Sequence, residues 1–409
     1  MSTTSPDQSA WTPPQFDTSK PPVLQDNLPS LGSRSNFVRI AKWCPDGSTV
    51  LTQCEDRSYR MVYFSSLDSS PAEAQPTPSR SLTLQQPAPI VDFLWYPTAS
   101  PKDPASFCFV SSVRDSPVKL LDASNGRLRA SYPIIDHVER FIAPHSLAFN
   151  PYGTRLYCGF ENAIELFDVG QPGEGTRLMT TPNKKSKDGL KGIVSALAFC
   201  PSYTTDWFAA GSLAPTSSNI AIYSETQGEV PVMFLGNESK AGVTQLMFNP
   251  MRPHLLYASF RRRNEIACWD LRSNADIPWK LYSPAASATE AEELTNQKRR
   301  FDIDIGGRWL SVGTQDGSIS LFDLDEPDDA QQRHYEETLG VSPMLSFKAH
   351  EDSVTTAAFR PTSSDMVSAS GSRCFESDSS NEEEDDVNVK TTKKQPIVRD
   401  GSIKLWRFS

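Results

Sequence analysis

The chain has 409 residues, of which 38% are hydrophobic and 10% aromatic, and its formal net charge is −10. This length and apolar content allow a large buried core, while the negative balance argues against a protein that coats nucleic acid non-specifically and leaves room for a local basic site. No stretch approaches the roughly 20 apolar residues of a membrane span, and the first ten residues lack a basic-then-apolar start, so a soluble intracellular chain with no membrane partner is expected.

The first segment in chain order, residues 1–21, is rich in Pro, Ser and Thr with few aliphatics, and is expected to be a disordered tail. From residue 22 to 409 one pattern takes over. An alternating apolar run ends on an aromatic and then meets turn residues, at Trp43-Cys44-Pro45, Trp95-Tyr96-Pro97, Phe149-Asn150-Pro151, Phe199-Cys200-Pro201, Phe248-Asn249-Pro250 and Phe359-Arg360-Pro361. A degenerate copy, Ile303-Asp304-Ile305-Gly306, fills the wider gap, so that successive anchors lie 49 to 56 residues apart. A later apolar run recurs in each copy, as in Val62-Tyr63-Phe64, Leu166-Phe167-Asp168, Cys268-Trp269-Asp270 and Leu405-Trp406-Arg407. Two copies carry Asp-Gly-Ser-Ile, from Asp316 and from Asp400, and Asp-Gly between apolar runs predicts a hairpin turn. Three strands are readable in each of the seven copies and a weaker fourth follows. The expected fold is therefore all-β, a seven-bladed WD-repeat β-propeller with four strands per blade. The third strand of the last copy runs to Ser409, so the outer strand of that blade must come from before Trp43, and residues 22–27 are the candidate.

Strand order also predicts faces. In an antiparallel four-stranded blade, the loop before the first strand and the loop between the second and third open on the same side. Lys184, Lys185, Lys187 and Lys191 precede the first strand of blade 4, Arg261, Arg262 and Arg263 lie between the second and third strands of blade 5, and Lys298, Arg299 and Arg300 precede the first strand of blade 6. All three clusters fall on one face of consecutive blades. Arg can bridge phosphate and stack on bases and Lys adds point charge, so this arc suits a polyanion such as RNA; solvated, incidentally charged loops are the alternative. The corresponding loop of blade 7, residues 373–399, holds Glu382-Glu383-Glu384-Asp385-Asp386 and is expected to be a disordered acidic insert on that same face. It reads either as a tolerated insertion or as a competitor of RNA for the basic arc. Ser379 and Ser380 each have Glu at the third following position, which marks candidate phosphorylation sites.

Constellations that imitate active sites have structural explanations. His350 with Ser368 or Ser370 and Asp400 could be drawn as a hydrolase triad. WD repeats, however, place His before the first strand, Ser or Thr in the second, Asp in the tight turn and Trp in the third, joined by hydrogen bonds. Here His350, Ser368, Asp400 and Trp406 fill those positions. His145 has a comparable loop-fixing position in blade 3. Asp302 and Asp304 alternate on a first strand, where a structural role is expected. The seven cysteines (Cys44, Cys54, Cys108, Cys158, Cys200, Cys268 and Cys374) form no CxxC pair and have no His at ligand spacing, so buried free thiols are expected, with no metal site. No Gly-x-Ser-x-Gly elbow or phosphate-cradling Gly loop occurs. The chain is thus expected to be a non-enzyme with no cofactor and no small-molecule substrate.

Several segments, in order, resemble the telomerase Cajal body protein family of WD-repeat proteins. They are Asn36-Phe37 with Lys42-Trp43-Cys44-Pro45-Asp46-Gly47, Ala143-Pro144-His145-Ser146-Leu147 with Tyr157-Cys158-Gly159-Phe160, Gly192-Ile193-Val194-Ser195 with Ala198-Phe199, Ala267-Cys268-Trp269-Asp270-Leu271-Arg272, and Phe301-Asp302-Ile303-Asp304. Ala369-Ser370-Gly371-Ser372-Arg373 precedes an acidic insert at the same place in the last blade. The resemblance implies an RNA-binding escort or assembly factor for small nuclear ribonucleoproteins, with small Cajal-body RNA or telomerase RNA as clients and ribonucleoprotein proteins as partners. It also implies a place in the nucleus, including Cajal bodies; a monomer with some of the protein in the cytoplasm is expected. The alternative is a protein-only scaffold of the pre-mRNA splicing machinery. Fold alone does not separate them, because propellers host many functions.

Overall fold

Each alternating run that ends on an aromatic anchor becomes the innermost strand of a four-stranded sheet. The computed structural model describes residues 12–28, 35–64, 78–183, 186, 188–284, 295–325, 338–373 and 398–409. Among them there are 29 strands and no helix. After β1 (Val23–Leu28), blade 1 holds β2 (Val38–Trp43), β3 (Thr49–Cys54), β4 (Ser58–Phe64) and β5 (Pro78–Gln85). Blade 2 holds β6 (Ile90–Trp95), β7 (Cys108–Val113), β8 (Val118–Asp122) and β9 (Leu128–Tyr132). Blade 3 holds β10 (Ser146–Phe149), β11 (Arg155–Phe160), β12 (Ala163–Asp168) and β13 (Thr176–Met179). Blade 4 holds β14 (Val194–Phe199), β15 (Trp207–Ser212), β16 (Ile220–Ser224) and β17 (Met233–Leu235). Blade 5 holds β18 (Val243–Phe248), β19 (Leu255–Phe260), β20 (Ile266–Asp270) and β21 (Lys280–Tyr282). Blade 6 starts with β22 (Asp302–Ile303), β23 (Trp309–Gly313) and β24 (Ser318–Asp323); β25 (Leu339–Val341) departs from it, and β26 (Leu345–Lys348) completes it. Blade 7 holds β27 (Val354–Phe359), β28 (Asp365–Ser370) and β29 (Ile403–Arg407).

β1 pairs antiparallel with β29, from Val23 opposite Arg407 to Leu28 opposite Ile403, and so supplies the fourth strand of blade 7. The ring is closed by joining both ends of the chain in one sheet. Three features depart from expectation. Blade 5 has five strands, because β25 pairs in parallel with β21, Lys280 opposite Leu339. The tail expected to be disordered over 1–21 is docked from residue 12 onward: Phe16 is buried and packs edge-on against Phe359 and Phe408, 5.0 and 5.3 Å between ring centres. One aromatic with a pocket to fill outweighs the polar composition around it. The Asp-Gly turns also differ. Gly317 has φ +92°, and a Cβ there would lie 2.1 Å from the His350 carbonyl oxygen, so only glycine fits; Gly401 is not in the left-handed region.

The core is not one mass. Seven apolar clusters are found among the described residues, one at each boundary between neighbouring blades. Trp43, Val50, Ala358 and Leu405, for example, join blades 1 and 7. The six described cysteines are buried free thiols. Hydrogen bonds between inner strands add a belt around the axis. Thr356 accepts from the Ala41 N–H at 3.2 Å, Asp92 from Leu147 N–H at 3.1 Å and Asp302 from Phe359 N–H at 2.8 Å. Ser146 and Ser195 donate to the carbonyls of Val194 and Val243, and Gln245 spans the N–H and carbonyl of Phe301. The inner strands enclose a central channel of about 510 Å³.

Candidate nucleic-acid interface

The loops before the first strands and between the second and third strands open on one face, here termed the upper face. Two of the three expected basic clusters meet there. Arg261, Arg262 and Arg263 occupy the loop between β19 and β20 and are exposed. Lys298, Arg299 and Arg300 run into β22 and are half-buried. Asn296 stitches the two together, its Oδ1 accepting from Arg261 Nε at 2.8 Å and Arg262 Nε at 2.9 Å. Arg299 Nη2 donates to Asn264 Oδ1 at 2.6 Å and to the Arg263 carbonyl at 3.3 Å. Arg300 turns inward, with Nη1 donating to the Thr244 carbonyl at 3.3 Å.

Of the third cluster only Lys191 is among the described residues. Lys191 is half-buried, its carbonyl accepts from the Ser212 hydroxyl, and its side chain has no hydrogen bond or ion pair among the described residues. Lys184, Lys185 and Lys187 lie outside the described residues, as do Ser379, Ser380 and the acidic run of the blade 7 insert. Arg373 and Arg399, at the two ends of the expected span, are each tied to the propeller. Arg373 pairs with Glu55 at 2.5 Å, and the Arg399 N–H donates to Asp352 at 3.1 Å.

Ring closure adds charges that the linear sequence kept apart. Lys298 has no hydrogen-bond or ion-pair partner among the described residues and lies close enough to feel Arg39 and also Arg300, Asp92 and Lys42, which line the central channel. Burial and then the Arg300 charge push its ammonium down to about 8, against the pull of Asp92. Lys42 reaches from blade 1 to Asp92 of blade 2, 3.5 Å away, and donates to the Phe93 carbonyl. Burial, followed by Lys298 and Arg114, holds the His145 ring below its ordinary value. The ring has no hydrogen bond among the described residues; only its backbone N–H is tied, to Gly159. The loop-fixing role expected of its side chain is therefore replaced by a place beside the mouth. Lys42 and Asp92 were missed because the group is drawn from blades 1, 2, 3 and 6, although charged residues inside otherwise apolar inner strands were a visible signal.

The triad look-alike is sealed. His350 Nε2 and Ser368 Oγ are 2.7 Å apart, Trp406 Nε1 donates to the same Oγ at 2.8 Å, and His350 Nδ1 lies 3.1 Å from Asp400 Oδ2. His350 and Ser368 are 1% and 0% exposed, so no substrate carbonyl can reach the hydroxyl. Burial holds His350 below its usual range, and hydrogen bonds from His350 and Ser402 outweigh burial to hold Asp400 far below the carboxylate range. Asp302 and Asp304 are each used by backbone. Asp304 caps the turn through the N–H groups of Gly306, Arg308 and Trp309, and burial pushes Asp302 up to about 7.

Comparison with known proteins places this face in context. The WD domain, G-beta repeat model matches residues 341–375. The chain is 31% identical to telomerase Cajal body protein 1 of Rattus norvegicus over 87% of this chain and 63% of that protein. It is 30% identical to the human protein of that name over 91% of this chain and 64% of that one. It is 32% identical to guanine nucleotide-binding protein negative regulator 1 of Schizosaccharomyces pombe over 69% of this chain and 70% of that protein. The chain thus spans just under two thirds of the length of the mammalian relatives cited.

Proposed function

The chain belongs to the WD-repeat family that includes telomerase Cajal body protein 1, and from that premise we propose that it is a non-catalytic RNA-binding propeller that escorts or helps assemble small nuclear ribonucleoproteins in the nucleus. The observation that carries the reading is the meeting of Arg261–Arg263 with Lys298–Arg300 across the boundary of blades 5 and 6, beside a lysine with no partner of its own. A charged group left unpaired costs stability, so a surface that concentrates such groups fits an external anion. Single-stranded RNA has the matching chemistry. Guanidinium planes stack on unpaired bases and bridge phosphates, and an ammonium takes a phosphate oxygen. The net charge of −10 confines binding to this patch and suits a loop rather than a long duplex.

A second reading, a protein-only scaffold associated with splicing, draws on the opposite face. There Tyr152, Tyr203 and Met251 expose large apolar side chains in successive loops between first and second strands. Crosslinking in cells followed by sequencing of bound RNA separates the two, with an Arg261/Arg262/Arg263→Ala variant beside the unaltered chain. Small nuclear RNAs enriched by the chain and lost in the variant are the expected result. No enrichment above background would leave the scaffold reading in possession.

A further inference from the structure

We infer that the boundary between blades 5 and 6 holds one monatomic anion, a halide, between the guanidinium groups of Arg299 and Arg300. Arg262, Arg263, Arg299 and Arg300 line a single cavity there, together with Asn264 and Gln297, and no Asp or Glu of the described residues lines it. Its volume is about 20 Å³, on the scale of one water or one small ion. Arg299 Nη1 and Arg300 Nε are buried with no hydrogen-bond partner. The neighbouring nitrogens are committed, Arg299 Nη2 to Asn264 and to the Arg263 carbonyl, Arg300 Nη1 to the Thr244 carbonyl. Both guanidinium groups are therefore held in place with donors left over beside the cavity.

Buried donors on charged groups are costly when unmade, and four like charges around one void repel one another. A water accepts two hydrogen bonds but adds no charge to that of Asp316 and Asp92, which act on Arg299 and Arg300 from outside the cavity. A halide accepts from both donors and offsets the repulsion as well. It also secures the exposed loop, in which Arg262 carries a positive φ of 56°, a conformation that a side chain ordinarily disfavours. This site shares Arg262, Arg263, Arg299 and Arg300 with the proposed RNA surface but needs no nucleic acid to be filled.

Two measurements on the full chain test it. Crystals transferred to bromide should show one anomalous peak in contact with both Arg299 and Arg300. In solution, replacing gluconate by bromide at constant ionic strength should raise the melting temperature by about 2–4 °C. Arg299→Gln should abolish that rise; if this variant does not fold, the milder Arg299→Lys should weaken it. Glu290, Glu292 and Glu293 of this chain are the rival source of counter-charge. A featureless bromide map, a water between the two arginines, or a melting temperature indifferent to halide but lowered by Glu290/Glu292/Glu293→Gln would overturn the assignment. None of these outcomes bears on RNA crosslinking, so this proposal and the RNA reading fail separately.

Discussion

Blade 7 and the boundary between blades 5 and 6 use the same two kinds of loop to opposite ends. In blade 7 the loop into the first strand brings His350 to Asp400 of the loop between the second and third strands, and Ser368 and Trp406 complete the chain. At the other site the equivalent loops bring Arg261–Arg263 up to Lys298–Arg300, and Lys298, Arg299 Nη1 and Arg300 Nε find no partner among the described residues. Polar groups that satisfy one another fix a blade, whereas groups of one sign that cannot do so weaken it and are suited to an external ligand. Damage to the first region should therefore cost stability and spare binding. Damage to the second should cost binding and spare, or even raise, stability.

His350→Ala should give the largest effect. It strips partners from Asp400, Ser368 and, indirectly, Trp406, and should lower unfolding free energy by about 3–4 kcal/mol in urea titration. RNA affinity measured well below the melting transition should not change. Phe16→Ala, which empties a pocket between Phe359 and Phe408 in the closing blade, should cost about 2–3 kcal/mol by the same titration. A silent variant would show that the ring closes without that anchor.

Lys298 sharpens the comparison through pH. With its ammonium near 8 in the folded chain and ordinarily 10.5, the unfolded chain binds more protons between those values, so stability should rise with pH across that window. A bound phosphate would restore the proton, so RNA affinity should fall as pH climbs through about 8, by several-fold on the order of one pKa unit of coupling. Lys298→Gln should flatten both profiles; unchanged profiles would remove Lys298 from the site. Asp302 predicts the smallest effect. Its carboxyl is held protonated up to about 7 while an unfolded one ionises near 3.8, so its contribution to stability is lost as pH rises between those values. Asp302→Asn, which can still accept from Phe359 N–H, should raise stability above pH 7 by about 1 kcal/mol or less, and a loss there would assign the carboxylate a role beyond that bond.

How much was legible follows from the range of each interaction. The anchors from Trp43 to Phe359, the hydrogen-bonded set in blade 7 and the closing strand before Leu28 were readable because strand period and turn chemistry are local. So was the adjacency of Arg261–Arg263 to Lys298–Arg300, which follows from strand order alone. β25 was not, since a short Leu-Gly-Val segment finds an edge strand far upstream and pairs in parallel. Phe16 was hidden by its polar neighbours. The channel-mouth group of Arg39, Lys42, Asp92, His145 and Lys298 exists only once blades 1, 2, 3 and 6 surround one axis.

The central claim is that Arg261–Arg263, at the blade 5–6 boundary, bind RNA. Fluorescence anisotropy of the purified chain with a labelled small nuclear RNA hairpin, repeated over a salt series, tests it on Arg261/Arg262/Arg263→Ala against the unaltered protein. The account predicts roughly 10- to 100-fold weaker binding at low salt, a log–log salt slope shallower by about 2, and an unchanged melting temperature. Equal affinity and equal slope in the two proteins would contradict it.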